Sequence, residues 1–204
     1  MKNLPAILML DLGNVVFPLE FDAFDKWLPT CRRNQMRDIS REFHQIYLDY
    51  EMGKFNTDAF FGRLESELEL EFDPATFKQM WLSCWQRDTE GMEEFICELK
   101  NKFMLCVLSN TNALHMETYL DTKKILRHFD RLFLSYELDC SKPEVEIYQK
   151  VTRELQVEPG QILFFDDKPE NIDGARKAGW QAEIFNGVPA AKARFAQHVS
   201  ECAR

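Results

Sequence analysis

Ala6-Ile7-Leu8-Met9-Leu10-Asp11-Leu12-Gly13-Asn14 sets an unbroken apolar run against an abrupt acidic turn. A continuous apolar run of this length fits a strand covered on both faces, as in a parallel sheet. The pattern recurs. Phe103-Met104-Leu105-Cys106-Val107-Leu108 leads into Ser109-Asn110, and Leu132-Phe133-Leu134 leads into Ser135. Ile162-Leu163-Phe164-Phe165 leads into Asp166-Asp167, and a weaker run, Ala182-Glu183-Ile184-Phe185, follows Gly179-Trp180. The segments between these runs have helical length or period. The expected fold class is therefore α/β, a doubly wound, Rossmann-like parallel sheet.

One gap is long. From about Phe17 to Arg87 there is no strand signal. The spacing predicts amphipathic helices over Asn34 to Tyr50, Thr57 to Leu68 and Pro74 to Trp85. Asn56-Thr57 and Asp73-Pro74 read as helix starts, and Gly53 breaks the pattern between two helices. The expected organisation is a core domain of 1-16 and 88-204, with a helical cap domain, 17-87, inserted after the first strand. No internal repeat or low-complexity tract is evident.

A net charge of -9 on 204 residues argues against non-specific nucleic-acid binding, which needs a positive surface to displace phosphate counterions. A small phosphate can still bind an acidic protein through a local Lys, backbone N–H groups and a cation. Six cysteines are scattered without a CxxC pair or a Cys/His cluster, so buried free thiols in a cytoplasmic, reducing setting are expected. Leu4 to Leu10 is too short to span a membrane, has no small-residue cleavage site, and no other stretch is long enough.

Ligands of open parallel sheets bind at the carboxyl ends of the strands. The first run ends in Asp11, the second in Ser109-Asn110 and the fourth in Asp166-Asp167, while Lys142-Pro143 precedes a helix near Glu144. One rim would then carry three carboxylates, a hydroxyl and an ammonium. Adjacent carboxylates repel unless they share a proton or a cation, and Mg²⁺ takes such oxygen ligands while keeping positions for water and phosphate. A carboxylate in line with phosphorus can act as a nucleophile. Taken singly, Asp11 also fits a turn, Ser109-Asn110 a helix cap, and Lys142 a solvated surface residue.

At these residues the chain resembles the haloacid dehalogenase superfamily over nearly its whole length. The motifs are Leu8 to Val16, Val107 to Asn112, Ser141-Lys142-Pro143-Glu144, and Phe164-Phe165-Asp166-Asp167 with Asn171 and Gly174-Ala175 after it. In detail they look like the bacterial glucose-1-phosphate phosphatase branch, with a helical first-type cap. The resemblance implies a Mg²⁺-dependent phosphatase that hydrolyses a small phosphorylated metabolite, a sugar phosphate in the first instance. It implies that Asp11 is nucleophile and metal ligand, that Gly13 offers the metal a carbonyl, and that Asp167 and Asp166 serve the metal. Ser109, Asn110 and Lys142 would hold the phosphate, with Lys142 also catalytic. The turn Tyr50-Glu51-Met52-Gly53-Lys54 would select substrate through Tyr50, Glu51 and Lys54.

One position departs from the pattern. Most phosphatases of the family place a second Asp two residues after the nucleophile, as general acid and base. Here that residue is Gly13. Two other readings follow from it: a metal-independent 2-haloacid dehalogenase, and a non-catalytic phosphate-binding protein. Dehalogenases place an aromatic at that position and have no use for the Asp166-Asp167 pair. The binding module would require loss of one group with every other motif kept.

Overall fold

A computed structural model describes residues 5–31, 40–84, 87–100 and 102–202. Five strands form one sheet: β1 (Ile7–Leu10), β2 (Met104–Ser109), β3 (Arg131–Leu134), β4 (Ile162–Asp166) and β5 (Gln181–Ile184). Their order is β3-β2-β1-β4-β5, and every pairing is parallel. The chain winds from β1 outward through β2 to β3, then returns to the far side of β1 for β4 and β5. Strand order therefore reverses beside β1, where open α/β sheets form their crevice. Leu10 pairs with Val107 on one side and Phe165 on the other, so Asp11 and Asp166 leave the sheet at one level.

The side-chain period of two splits the core. Leu8, Leu10, Leu105, Val107, Leu163 and Phe165 join one buried cluster, while Ile7, Met9, Cys106, Leu108, Ile162 and Phe164 join the other. The first cluster is continuous with helices lying between β1 and β2. These are α1 (Asp22–Trp27), a 3-10 turn (Leu28–Cys31), α2 (Ser40–Glu51), α3 (Thr57–Glu67) and α4 (Pro74–Leu82). Phe24, Phe60, Phe77 and Trp81 pack there edge to face, tilted or stacked, at centroid separations of 4.8 to 6.4 Å. Such packing fits the large area each ring removes from water.

The other helices are α5 (Met92–Leu99), α6 (Ala113–Thr122), α7 (Ser135–Leu138), α8 (Val145–Leu155), α9 (Pro169–Lys177) and α10 (Val188–Cys202). All five predicted strands are present within a residue of their expected ends at most edges. The segment from 17 to 84 carries no strand among the described residues, as expected. Asn56 and Asp73 accept at 2.9 Å from Ala59 N and Thr76 N, each cap contributing ~1 kcal/mol. Helix α1 was not anticipated, because six residues are too few to show a period. The start of the helix predicted from Asn34, and Trp85, fall outside the described residues.

Gly53 sits between α2 and α3 with φ +72°, and a β-carbon there would overlap the Tyr136 carbonyl oxygen of α7. Glycine is required on both counts. It lets the turn press onto the sheet's rim, and Ser135 Oγ donates to the Glu51 carbonyl oxygen at 2.5 Å to hold it there.

Candidate active site

Asp11 follows β1, and its Oδ1 accepts from Leu12 N at 2.7 Å. Lys142, from the loop between α7 and α8, points its Nζ between two carboxylates. It lies 2.9 Å from Asp11 Oδ1 and 2.6 Å from Asp166 Oδ2. All three side chains are buried. Burial opposes the Lys142 charge, but the two carboxylates outweigh it and hold its pKa above the ordinary lysine value. Burial pushes the Asp11 carboxyl up, more than the Lys142 ammonium draws it down. A divalent cation at this place would return it to the ionised form.

Asp166 and Asp167 are neighbours with different surroundings. Asp166 is fully buried and accepts from Lys142 Nζ, Lys168 N at 2.8 Å, and Asn171 Nδ2 at 2.9 and 3.0 Å. Asp167 lies at the cavity and accepts from Asn14 Nδ2 at 3.0 Å. Asn14 takes a left-handed φ of 55°, which asparagine tolerates, and its Oδ1 accepts from Leu19 N at 3.1 Å. One carboxylate oxygen each from Asp11, Asp166 and Asp167 lie within 4.8 Å of one another. An all-oxygen set with two buried members and one half-buried member, Asp167, suits a hard cation such as Mg²⁺.

A cavity of about 330 Å³, the size of a small ligand, opens beside these groups. Of the residues named from the sequence, Asp11, Gly13, Asn110, Lys142 and Asp167 border it, whereas Asp166 and Ser109 do not. Asn110 also works behind it. Its Nδ2 donates to Lys142 O at 3.0 Å and its Oδ1 accepts from Lys142 N at 2.9 Å. Both ends of that amide are thus engaged in positioning Lys142. Ser109 is buried, and its hydroxyl turns to Asn110 O at 3.4 Å.

The turn expected to select substrate divides. Glu51 borders the cavity, whereas Tyr50 and Lys54 do not. Tyr50 stacks on Phe60 at 4.5 Å, and its hydroxyl accepts from Leu114 N at 3.1 Å. Lys54 is exposed and pairs with Asp49 at 2.7 Å. A helix turns 100° per residue, so successive residues of α2 cannot share one face. His44 and Tyr47, on the face of α2 that carries Glu51, also border the cavity, with Lys168 opposite. The spacing of 44, 47 and 51 was the available signal.

Several known proteins are similar to this chain in sequence or fold. The chain is 29% identical over 186 residues to a D-ribitol-5-phosphate phosphatase of Bacteroides thetaiotaomicron, across 85% of this chain and 88% of that protein. It is 24% identical over 176 residues to a sesquiterpene phosphatase of Aspergillus oryzae, across 84% and 85%. Its fold matches a haloacid dehalogenase family enzyme of B. thetaiotaomicron, crystallised with magnesium and inorganic phosphate. That match has a TM-score of 0.77 at 23% identity, over 90% of this chain and 95% of that one. The haloacid dehalogenase-like hydrolase family model spans residues 11–179, from the Asp11 turn to the glycine after α9. With the acid trio, Lys142 and the parallel sheet in the arrangement just described, the chain belongs to the haloacid dehalogenase-like hydrolases.

Proposed function

We propose that this hydrolase is a Mg²⁺-dependent phosphatase that cleaves a small phosphate monoester, a sugar or sugar-alcohol phosphate, through an aspartyl-phosphate on Asp11. The observation that carries the reading is Lys142 Nζ 2.9 Å from Asp11 Oδ1, beside a trio of carboxylate oxygens within 4.8 Å. Asp11 stands at the cavity wall as the carboxylate available for attack. Lys142 balances charge that gathers on the transferring phosphoryl group, and Asn110 fixes where that ammonium sits. Asp167, Asp11 and the Gly13 carbonyl are the proposed metal ligands, with Asp166 holding Lys142 and Asn171 in place. When bound, Mg²⁺ supplies positive charge to phosphate oxygens and draws the Asp11 carboxyl to its ionised form.

The substrate class has two supports. The motifs resemble the glucose-1-phosphate phosphatase branch, and a ribitol-5-phosphate phosphatase is among the relatives. Both substrates are polyhydroxylated phosphate esters. We take residues 17–87 as the cap that selects among them, and a cytoplasmic setting as the one suited to Cys31, Cys84, Cys106 and Cys140, which are buried free thiols.

The test is phosphate release from sugar and polyol phosphates, with and without Mg²⁺. Mg²⁺-dependent release by the wild type supports the reading. Release from no ester, or halide release from 2-haloacids without Mg²⁺, overturns it.

A further inference from the structure

An alkyl phosphate leaves as an alkoxide, which needs a proton as the P–O bond breaks. The residue two positions after Asp11 is Gly13, which has no side chain to carry one, and a β-carbon there would already stand 3.0 Å from Leu19 Cδ1. The side chains along the cavity are then the protein groups able to supply it. Lys142 holds its proton between two carboxylates. Burial, then the neighbouring Glu51, raises the Tyr47 phenol well above its ordinary range. His44, Lys168 and Glu170 are exposed at the mouth. Glu51 is the carboxyl on the cavity wall that is both buried and outside the acid trio.

We propose that Glu51 protonates the leaving alkoxide and then takes a proton from the water that hydrolyses the phosphoenzyme. The proposal rests on the phosphatase reading of this cavity. In the first step an Asp11 oxygen bonds to phosphorus, the P–O bond to the substrate breaks, and the Glu51 proton moves to the departing oxygen. In the second, water gives a proton to the Glu51 carboxylate, its oxygen bonds to phosphorus, and the bond to Asp11 breaks. Inorganic phosphate leaves, and both carboxyl groups return to their starting states.

Three features favour this. Glu51 ends α2 and is anchored through its backbone by Ser135 Oγ. Its Oε1 accepts a short hydrogen bond from the Tyr47 hydroxyl one turn earlier. Among the described residues no hydrogen bond from another side chain to the carboxyl is seen, and Glu51 borders the cavity. Burial pushes this carboxyl up to about 7, where a group both gives and takes a proton near neutrality. The groups that face it are Tyr47 and His44 on α2, Asp11 after β1, Lys142 before α8, and Lys168 before α9.

The test compares Glu51→Gln with wild type in Mg²⁺, on ribitol 5-phosphate and on p-nitrophenyl phosphate. Nitrophenolate leaves without a proton, so the variant should give a burst of about one nitrophenolate per enzyme and then turn over slowly. On ribitol 5-phosphate it should show no burst, a kcat lower by ~10²–10⁴-fold and a KM close to wild type. Equal losses on both esters without a burst, or an unchanged kcat on ribitol 5-phosphate, overturns the proposal while wild-type activity upholds the phosphatase. Wild type inactive on every ester overturns both. Tyr47→Phe is the second variant and keeps the carboxyl. Loss of its hydrogen bond should move the alkaline limb of the ribitol 5-phosphate profile to higher pH, and an unmoved limb overturns the proposal.

Discussion

Lys142 Nζ lies closer to Asp166 Oδ2, at 2.6 Å, than to Asp11 Oδ1, at 2.9 Å, and neither Lys142 nor Asp166 has appreciable exposure. The ammonium is therefore anchored from behind by one acid and presented to the other. Asp166 pairs with Lys142 in the interior, and Asp11 is the partner on the cavity wall.

Asp11→Asn should abolish phosphate release, by at least ~10³-fold, while the protein keeps its fold. Removal of the nucleophile leaves no covalent route. Lys142 retains Asp166, so circular dichroism and the thermal midpoint should stay near wild type. Normal turnover would refute the assignment of Asp11.

The two adjacent acids should behave differently. Asp166→Asn removes a buried charge that faces Lys142 and should cost about 3 kcal/mol in urea unfolding. Asp167→Asn should change stability by no more than ~0.5 kcal/mol without metal. It should instead lose the rise in thermal midpoint that Mg²⁺ gives wild type by binding the folded state. Equal destabilisation by both variants would contradict the division of roles.

Gly174→Ala tests the support beneath Lys142. A β-carbon at this point of α9 would overlap the Pro143 carbonyl oxygen and approach Tyr148 Cε2 at 2.9 Å. We expect a loss of roughly 1–3 kcal/mol from overpacking. Phosphatase kcat should fall as well, since the Lys142-Pro143 backbone must shift. A stable, fully active variant would show the loop to be more yielding than its packing indicates.

His115 gives a pH signature. It is buried between Trp81 and Tyr119 at ring separations of 5.0 and 5.5 Å, and burial lowers its pKa to about 3. The unfolded chain takes up this proton near pH 6.5, but the folded chain does not until about 3. The unfolded state then binds more protons, so stability falls as pH drops through that window. His115→Gln should remove up to about 1.4 kcal/mol per pH unit from the slope between pH 6 and 4. Urea midpoints measured across that range would show an unchanged slope if the histidine is already charged in the folded state.

Much of this was legible beforehand. Apolar runs that stop at Asp11, Ser109 and Asp166 mark strands and their ends, because burial on both faces of a sheet leaves a local signature. The caps at Asn56 and Asp73 were equally local. Of the residues expected to contact substrate, Tyr50 and Lys54 do not border the cavity. They were drawn from a turn, and which face of a turn meets a cavity is set by how its helix lies over the sheet. The pair formed by Tyr47 and Glu51 has an i, i+4 spacing that the sequence carries, but the spacing alone does not say that the pair meets a cavity.

The sequence by itself determined the parallel sheet and the gathering of Asp11, Lys142, Asp166 and Asp167 at one rim. Strand period and strand ends are written residue by residue. Only the tertiary structure decided that Asp166 turns inward under Lys142 while Asp167 faces the cavity with Asn14. It also decided that Glu51 enters the site while its neighbour Tyr50 stacks on Phe60. Consecutive side chains point in different directions, and which direction is the site depends on residues distant in the chain.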